Sequence, residues 1–142
     1  MIQINEKAPE FSGITDDGTE ITLSQFAGKN VILYFYPKDD TPGCTQESKD
    51  FRDLHNEFTE LNSVIIGISK DPVDSHVKFK EKYELPFILI ADTETKIIQD
   101  YDVWKEKSMF GKKYMGIERT TILINSEGII AKIWPKVKVK EQ

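Results

Sequence analysis

The sequence predicts an α/β domain in which helices flank a central mixed β-sheet. Three observations predict this fold class: short continuous apolar runs recur along the chain, stretches with helical spacing separate them, and the last two runs flank a turn sequence. Continuous apolar runs are typical of strands buried on both faces, and their alternation with helices is typical of α/β folds. With 142 residues, the chain fits a single domain over 1–142.

The first third of the chain predicts a hairpin, a strand and a helix. Short polar and apolar stretches near Glu10–Ser12 and Glu20–Thr22 favour a small N-terminal β-hairpin. Val31–Tyr36 is an unbroken run of six apolar or aromatic residues and predicts the first buried strand. A helix follows, because apolar residues then recur at spacings of three and four, at Phe51, Leu54, Phe58 and Leu61.

The middle of the chain continues this alternation. Val64–Ile68 and Phe87–Ala91 predict two more buried strands. Between them, Asp71–Leu85 predicts a helix, since it begins with an aspartate as N-cap and a first-turn proline. Pro86 ends this helix, because proline lacks the N–H group that a helix interior needs.

The last third predicts a short helix and a second hairpin. The helix covers Lys96–Tyr101, and the hairpin joins Thr121–Ile124 to Ile129–Trp134 through the turn sequence Asn125–Gly128. The tail at 136–142 alternates lysine and valine before it stops. This pattern leaves two interpretations open, an edge strand or a ragged end.

Composition and charge exclude several classes of protein. Apolar residues make up 39% of the chain and charged residues 30%, which is an ordinary globular mixture. A net charge of −5 gives no electrostatic reason to expect nucleic acid or an anionic membrane as partner. We expect no transmembrane segment, no secretory signal and no internal disulfide, because the chain has one cysteine and no long apolar run. A cytoplasmic location is the resulting expectation.

Cys44 lies where a buried strand ends and a helix begins. Unpaired N–H groups at a helix start carry partial positive charge, which favours a thiolate over a thiol. Phe51 follows Cys44 by about two helical turns, so Cys44 heads the apolar stripe and is expected to face inward. Two interpretations remain: a buried structural cysteine, or a reactive one in a shallow pocket at the carboxyl end of the sheet.

Other cysteine chemistries lack the residues they need. A dithiol oxidoreductase requires a second cysteine at position 47, which is Glu47. A cysteine hydrolase requires a nearby base, but His55 lies about 16 Å along the same predicted helix. His76 falls on a different predicted helix, where we expect it at the surface. We expect no metal and no cofactor, since a structural zinc site would need more ligands.

The segment around Cys44 resembles the active site of the peroxiredoxins. Residues 37–45 match the family pattern of Pro, three residues, Thr, two residues and Cys. The wider sequence is similar to the bacterioferritin comigratory protein, or peroxiredoxin Q, branch over essentially the whole chain. The segments that carry this wider resemblance are Phe35-Tyr36, Phe51–Asp53, Ile68–Asp71, Ser75-His76, Lys82–Phe87, Tyr114–Thr121 and Trp134.

This resemblance implies a thioredoxin-like fold and a thiol-dependent peroxidase. Hydrogen peroxide and organic hydroperoxides would be reduced as Cys44 becomes a sulfenic acid. By likeness to the family, Thr41 would hydrogen-bond the thiolate and the peroxide, and Pro37 would shield the sulfur from water. Arg119 would stabilise the thiolate and the charge on the leaving oxygen.

Two further residues complete the predicted site. Glu47, one helical turn after Cys44, would orient Arg119 through an ion pair. Gly43 would support the turn that precedes Cys44. The aromatic residues Trp104, Phe110 and Tyr114 leave two interpretations open, a substrate mouth or a loop packed on the core.

The sequence departs from the family pattern in two places. Many members of this branch carry a resolving cysteine where this chain has Lys49, so the resemblance implies recycling by an external thiol such as thioredoxin, glutaredoxin or a small thiol. The family also continues into a closing helix, which we expect to be short or absent because the chain ends at Gln142. A monomer or weak homodimer is expected. The alternative function is a non-enzymatic redox sensor or holdase on the same fold.

Overall fold

The computed structural model describes residues 2–135 and confirms the α/β class with a mixed sheet. The predicted C-terminal edge strand or ragged end at 136–142 lies outside these residues. Seven strands form the main sheet in the order β2-β1-β5-β4-β3-β8-β9, and two form a separate hairpin. The strands are β1 Ser12–Thr15, β2 Glu20–Thr22, β3 Asn30–Phe35, β4 Ser63–Ser69, β5 Ile88–Ala91, β6 Trp104–Met109, β7 Lys112–Ile117, β8 Thr120–Ile124 and β9 Ile130–Trp134.

The centre of the sheet consists of the three predicted apolar runs. Strands β3, β4 and β5 pair in parallel, while β8 joins β3 and β1 joins β5 in antiparallel fashion. Both predicted hairpins are present, as β1 with β2 and β8 with β9. The carboxyl ends of β3 and β4 lie at one edge, which is where an α/β sheet usually presents its functional residues.

Helices cover both faces of this sheet. Alternate residues of β3 point to opposite faces: Leu33 and Phe35 enter one apolar cluster, and Ile32 and Tyr34 enter the other. The second cluster contains Cys44. The helices are α1 Pro42–Asp53, α2 His55–Glu60, α3 Val73–Tyr83 and α4 Lys96–Asp100, with a 3₁₀ turn at Leu23–Phe26.

The predicted long helix after Cys44 is two helices, so that prediction was wrong in part. Helix α1 ends at Asp53, and Leu54 caps it before α2 begins at His55. Leu54 and Leu61 are exposed in the described structure, although the spacing predicted that both face the core. Phe51 and Phe58 do pack against the cluster that contains Cys44.

Helix α3 corrects the expectation for His76. The helix presents His76 and Phe79 to the sheet, and the His76 side chain is fully buried instead of lying at the surface. Glu84 adopts a left-handed backbone conformation with φ of 53° and ends the helix.

The hairpin β6–β7 was not predicted as strands. Its two-residue turn, Phe110-Gly111, has positive φ at both positions, as a type I′ turn requires. Phe110 therefore projects from the tip and is 98% exposed, whereas Trp104 packs against the core at the base. Over residues 2–135, the helices are all too short or too polar to cross a bilayer.

Candidate active site

Cys44 lies in the first turn of α1, directly beyond the end of β3. Thr41 is the N-cap and Pro42 the first helical residue, so Cys44 is the third residue of the helix. Its side chain is 1% exposed and reaches the apolar cluster between α1, α3 and the sheet. The first-turn N–H groups of α1 have no partners within the helix, and their partial positive charge favours an anion at this position.

Arg119 reaches the sulfur from the other side. It lies between β7 and β8, next to Thr120, which pairs with Phe35 at the end of β3. This register brings Arg119 beside the start of α1. Its Nη2 donates to Cys44 Sγ across 3.2 Å, so a planar cation lies within hydrogen-bond distance of the thiol.

Glu47 holds the other end of the guanidinium. Arg119 Nη1 donates to Glu47 Oε1 at 2.7 Å, and both side chains are largely buried. Burial raises the pKa of Glu47 to about 7, although the Arg119 charge acts in the opposite direction. Burial also works against the charged form of Arg119, but the neighbouring Cys44 and Glu47 give this arginine a net raised pKa.

Gly43 makes room for this arrangement. A Cβ atom at position 43 would lie 3.2 Å from Arg119 Nη2, which is tighter than ordinary van der Waals contact. The backbone of Gly43 has an ordinary conformation, so its role is close approach and not a special turn geometry.

Thr41 differs from the expectation. We expected its hydroxyl on the sulfur, but Thr41 Oγ1 donates to the Lys38 carbonyl at 2.9 Å. Its proton is therefore used within the loop, while its oxygen remains free to accept. Pro37 is half-buried at the end of the strand segment.

Sequence reasoning missed Lys107. It belongs to β6, and its side chain lies along Gly116, with Cδ 3.1 Å from the position of a Cβ there. Burial and the nearby Arg119 charge lower the pKa of Lys107, while Glu118 and Cys44 act in the opposite direction. The hairpin β6–β7 thus places a second basic side chain where the charges of Arg119 and Cys44 influence its pKa, and no sequence motif marks it.

Lys49 occupies the middle of α1, where it is half-buried. The aromatic residues considered for a substrate mouth all belong to the β6–β7 hairpin, where Tyr114 is paired with Lys107 in the register.

Asp39, Asp71 and His76 form a group that resembles metal ligands, because their ligand atoms lie within 4.8 Å of one another. These atoms already hydrogen-bond protein partners, so the group is a closed polar network.

Comparison with known proteins gives consistent results. The AhpC/TSA family model matches residues 4–133. The chain is 55% identical to peroxiredoxin Bcp of Bacillus subtilis over 140 residues, which cover 99% of this chain and 89% of that protein. The structure is similar to that of the Xanthomonas campestris bacterioferritin comigratory protein, with 43% identity, a TM-score of 0.87, and 91% and 82% of the two chains covered. A peroxiredoxin Q mutant from Xylella fastidiosa gives a TM-score of 0.93 at 34% identity, covering 99% of this chain and 89% of the other.

Proposed function

The chain belongs to the AhpC/TSA family, and from that membership we propose that it is a thiol peroxidase in which Cys44 attacks the peroxide. One observation carries the assignment of Cys44: the Arg119 guanidinium bridges Cys44 Sγ at 3.2 Å and Glu47 Oε1 at 2.7 Å. A buried cysteine of purely structural role needs no cation at its sulfur.

The reaction needs no cofactor. The Cys44 thiolate attacks one peroxide oxygen, so an S–O bond forms while the O–O bond breaks. The sulfur is oxidised by two electrons to a sulfenic acid, and the peroxide is reduced to an alkoxide or hydroxide. This leaving group takes a proton from solvent and departs as an alcohol or water.

The surrounding residues divide the remaining tasks. Arg119 stabilises the thiolate and the negative charge that develops on the leaving oxygen. Glu47 fixes the plane of the guanidinium, and Gly43 lets it approach. The Thr41 hydroxyl donates its hydrogen bond to the Lys38 carbonyl, so its oxygen accepts the hydrogen bond from the peroxide O–H.

The substrates are hydroperoxides and the electron donor is a thiol. We propose hydrogen peroxide and organic hydroperoxides as substrates. The similar Xanthomonas campestris protein is described as having alkyl peroxide reduction activity, and this supports organic hydroperoxides. Pro37, half-buried where the loop leaves the sheet, would keep water from the sulfur.

Recycling uses a thiol from another molecule. Cys44 is the only cysteine of the chain, so its sulfenic acid has no internal partner for a disulfide. An external thiol, either a small thiol or the dithiol of thioredoxin or glutaredoxin, condenses with the sulfenic acid, and a second thiol restores Cys44. A reducing compartment such as the cytoplasm supplies these thiols.

We propose that a single domain over 1–142 carries out this cycle. Cys44, Glu47 and Arg119 all come from one chain, which supports the proposal that the enzyme acts as a monomer or weak homodimer.

Stoichiometry tests the proposal. Without thiol, wild type should consume one equivalent of peroxide, and mass spectrometry should place one added oxygen on Cys44. With excess thiol, consumption should continue. The matched control, Cys44→Ser, should do neither, and equal consumption by that variant would contradict the assignment. Consumption that stops at one equivalent with every thiol would favour a redox sensor or holdase instead.

A further inference from the structure

The loop between β3 and α1 is fixed by a buried polar network. Asp39 in this loop is only 7% exposed. Its Oδ1 accepts a hydrogen bond from Tyr36 Oη at 2.6 Å, and its Oδ2 accepts one from Ser75 Oγ at 2.8 Å. The same Oδ2 lies 2.7 Å from Nδ1 of His76. The carboxyl group of Asp39 therefore joins the loop to α3.

His76 is bonded on both sides of its ring. Its Nε2 lies 2.9 Å from the Ile90 carbonyl oxygen, which only accepts, so Nε2 carries a proton. A neutral imidazole has one N–H, and here that N–H is committed to Ile90. The contact between Nδ1 and Asp39 Oδ2 therefore requires a second proton between ring and carboxyl. The two groups form a buried hydrogen-bonded pair.

The pair connects the catalytic loop to distant parts of the fold. His76 belongs to α3, and Ile90 belongs to β5, which β4 separates from β3. The backbone N–H of Asp39 also donates to Asp71 Oδ2 at 2.8 Å, so residue 39 is held by both side chain and backbone. Across the described residues 2–135, every buried side-chain nitrogen and oxygen has a partner, so removal of one member leaves another unpaired.

We propose that His76 is a positioning residue for the Cys44 chemistry. Through Asp39, it holds the loop that leads to Thr41 and the first turn of α1, and so it keeps the thiol in register with Arg119. This inference rests on the proposed peroxidase function. A displacement of about 1 Å at a reacting group is enough to cost up to about 100-fold in rate.

The next residue of the loop provides an internal comparison. Asp40 also contacts α3, through Lys82 Nζ at 2.9 Å and Tyr83 Oη at 2.7 Å. These contacts are solvent-exposed, and exposed ion pairs contribute little to holding a structure together. The buried contact of Asp39, and not the exposed one of Asp40, should therefore control the loop.

Two substitutions of His76 separate its two hydrogen bonds. In His76→Asn the amide nitrogen replaces Nδ1 and keeps the bond to Asp39. In His76→Gln it replaces Nε2 and keeps the bond to Ile90. The rate constant for Cys44 oxidation in a single turnover should stay within about 3-fold of wild type in His76→Asn and fall at least about 10-fold in His76→Gln. Amide hydrogen exchange at residues 39–44 should become faster in His76→Gln.

The outcomes decide the inference. Equal oxidation rates in the two folded variants, or unchanged exchange at residues 39–44 in His76→Gln, would overturn it. If neither His76 variant folds, Ser75→Ala and Asp40→Ala replace them. The amide exchange rate at residues 39–44 should rise at least about 3-fold in Ser75→Ala and stay at the wild-type value in Asp40→Ala. Equal exchange rates in these two variants would overturn the inference. Failure of wild-type Cys44 to react with peroxide would refute the proposed function, whereas the exchange comparison tests the loop without any turnover.

Discussion

Replacement of Glu47 by glutamine tests the electrostatics that support Arg119. The Glu47 carboxylate is buried against the guanidinium, with 2.7 Å between Oε1 and Nη1. Burial raises the pKa of this carboxyl from 4.5 to about 7 against the effect of Arg119. Glutamine keeps an oxygen that accepts from Arg119, but it has no charge to desolvate. The substitution therefore removes the titration while it preserves the hydrogen bond.

The sign of the effect follows from proton linkage. Between pH 4.5 and about 7, the folded chain keeps a proton on Glu47 that the unfolded chain has lost. The stability associated with this group is fully present below about pH 4.5 and is lost as the pH rises through about 7. The difference between 4.5 and about 7 corresponds to roughly 3 kcal/mol in the free energy of unfolding.

Urea unfolding at a series of pH values measures this loss. The free energy of unfolding of Glu47→Gln minus that of wild type should rise by roughly 3 kcal/mol between about pH 4.5 and about pH 8. All other titratable groups are common to the two proteins, so the subtraction isolates Glu47. A difference that stays constant, or that falls with rising pH, would refute the reasoning.

Three further substitutions test the site and the core. Arg119→Lys should lower the rate of Cys44 oxidation at least about 10-fold in stopped-flow measurements, because one ammonium cannot reproduce both guanidinium contacts; wild-type rates would contradict this. Gly43→Ala should slow the same step about 3- to 10-fold while urea unfolding stays nearly unchanged, since its Cβ would displace Arg119 by a few tenths of an ångström; a loss of stability without a rate effect would argue otherwise. Phe79→Ala should cost about 3–5 kcal/mol in urea unfolding, because Phe79 is 2% exposed, and a cost below about 1 kcal/mol would show that the core refills the space.

Local pattern was sufficient to predict the centre of the fold. Strands β3 and β4 are continuous apolar runs, and a short run of this kind is typical of a strand that is buried on both faces of a sheet. Helix α3 was also predicted, to within one residue at its start: the expected N-cap was Asp71 with Pro72 in the first turn, whereas Pro72 is the N-cap and the helix begins at Val73. These features depend on residues that lie close together in the sequence.

Features that depend on tertiary contact were missed. Leu54 and Leu61 continue the apolar spacing, yet the chain leaves α1 at Leu54 and both side chains are exposed. The hairpin β6–β7 was missed because its strands contain charged and exposed residues and its turn is Phe110-Gly111, which lacks the asparagine or aspartate that usually marks such a turn.

The difference between local sequence pattern and tertiary contact also applies to the site around Cys44. The helix start predicted at Cys44 favours a reactive thiolate, and the resemblance of the Pro37–Thr45 segment to the peroxiredoxin pattern implies the peroxidase chemistry. The groups that fix this start are distant in sequence: Arg119 is 75 residues from Cys44, and His76 is 37 residues from Asp39. The sequence around a helical histidine does not indicate what its ring contacts, so the burial of His76 is seen only in the folded structure. The motif therefore predicts which atoms react, while contacts across the sheet decide whether those atoms are held in place.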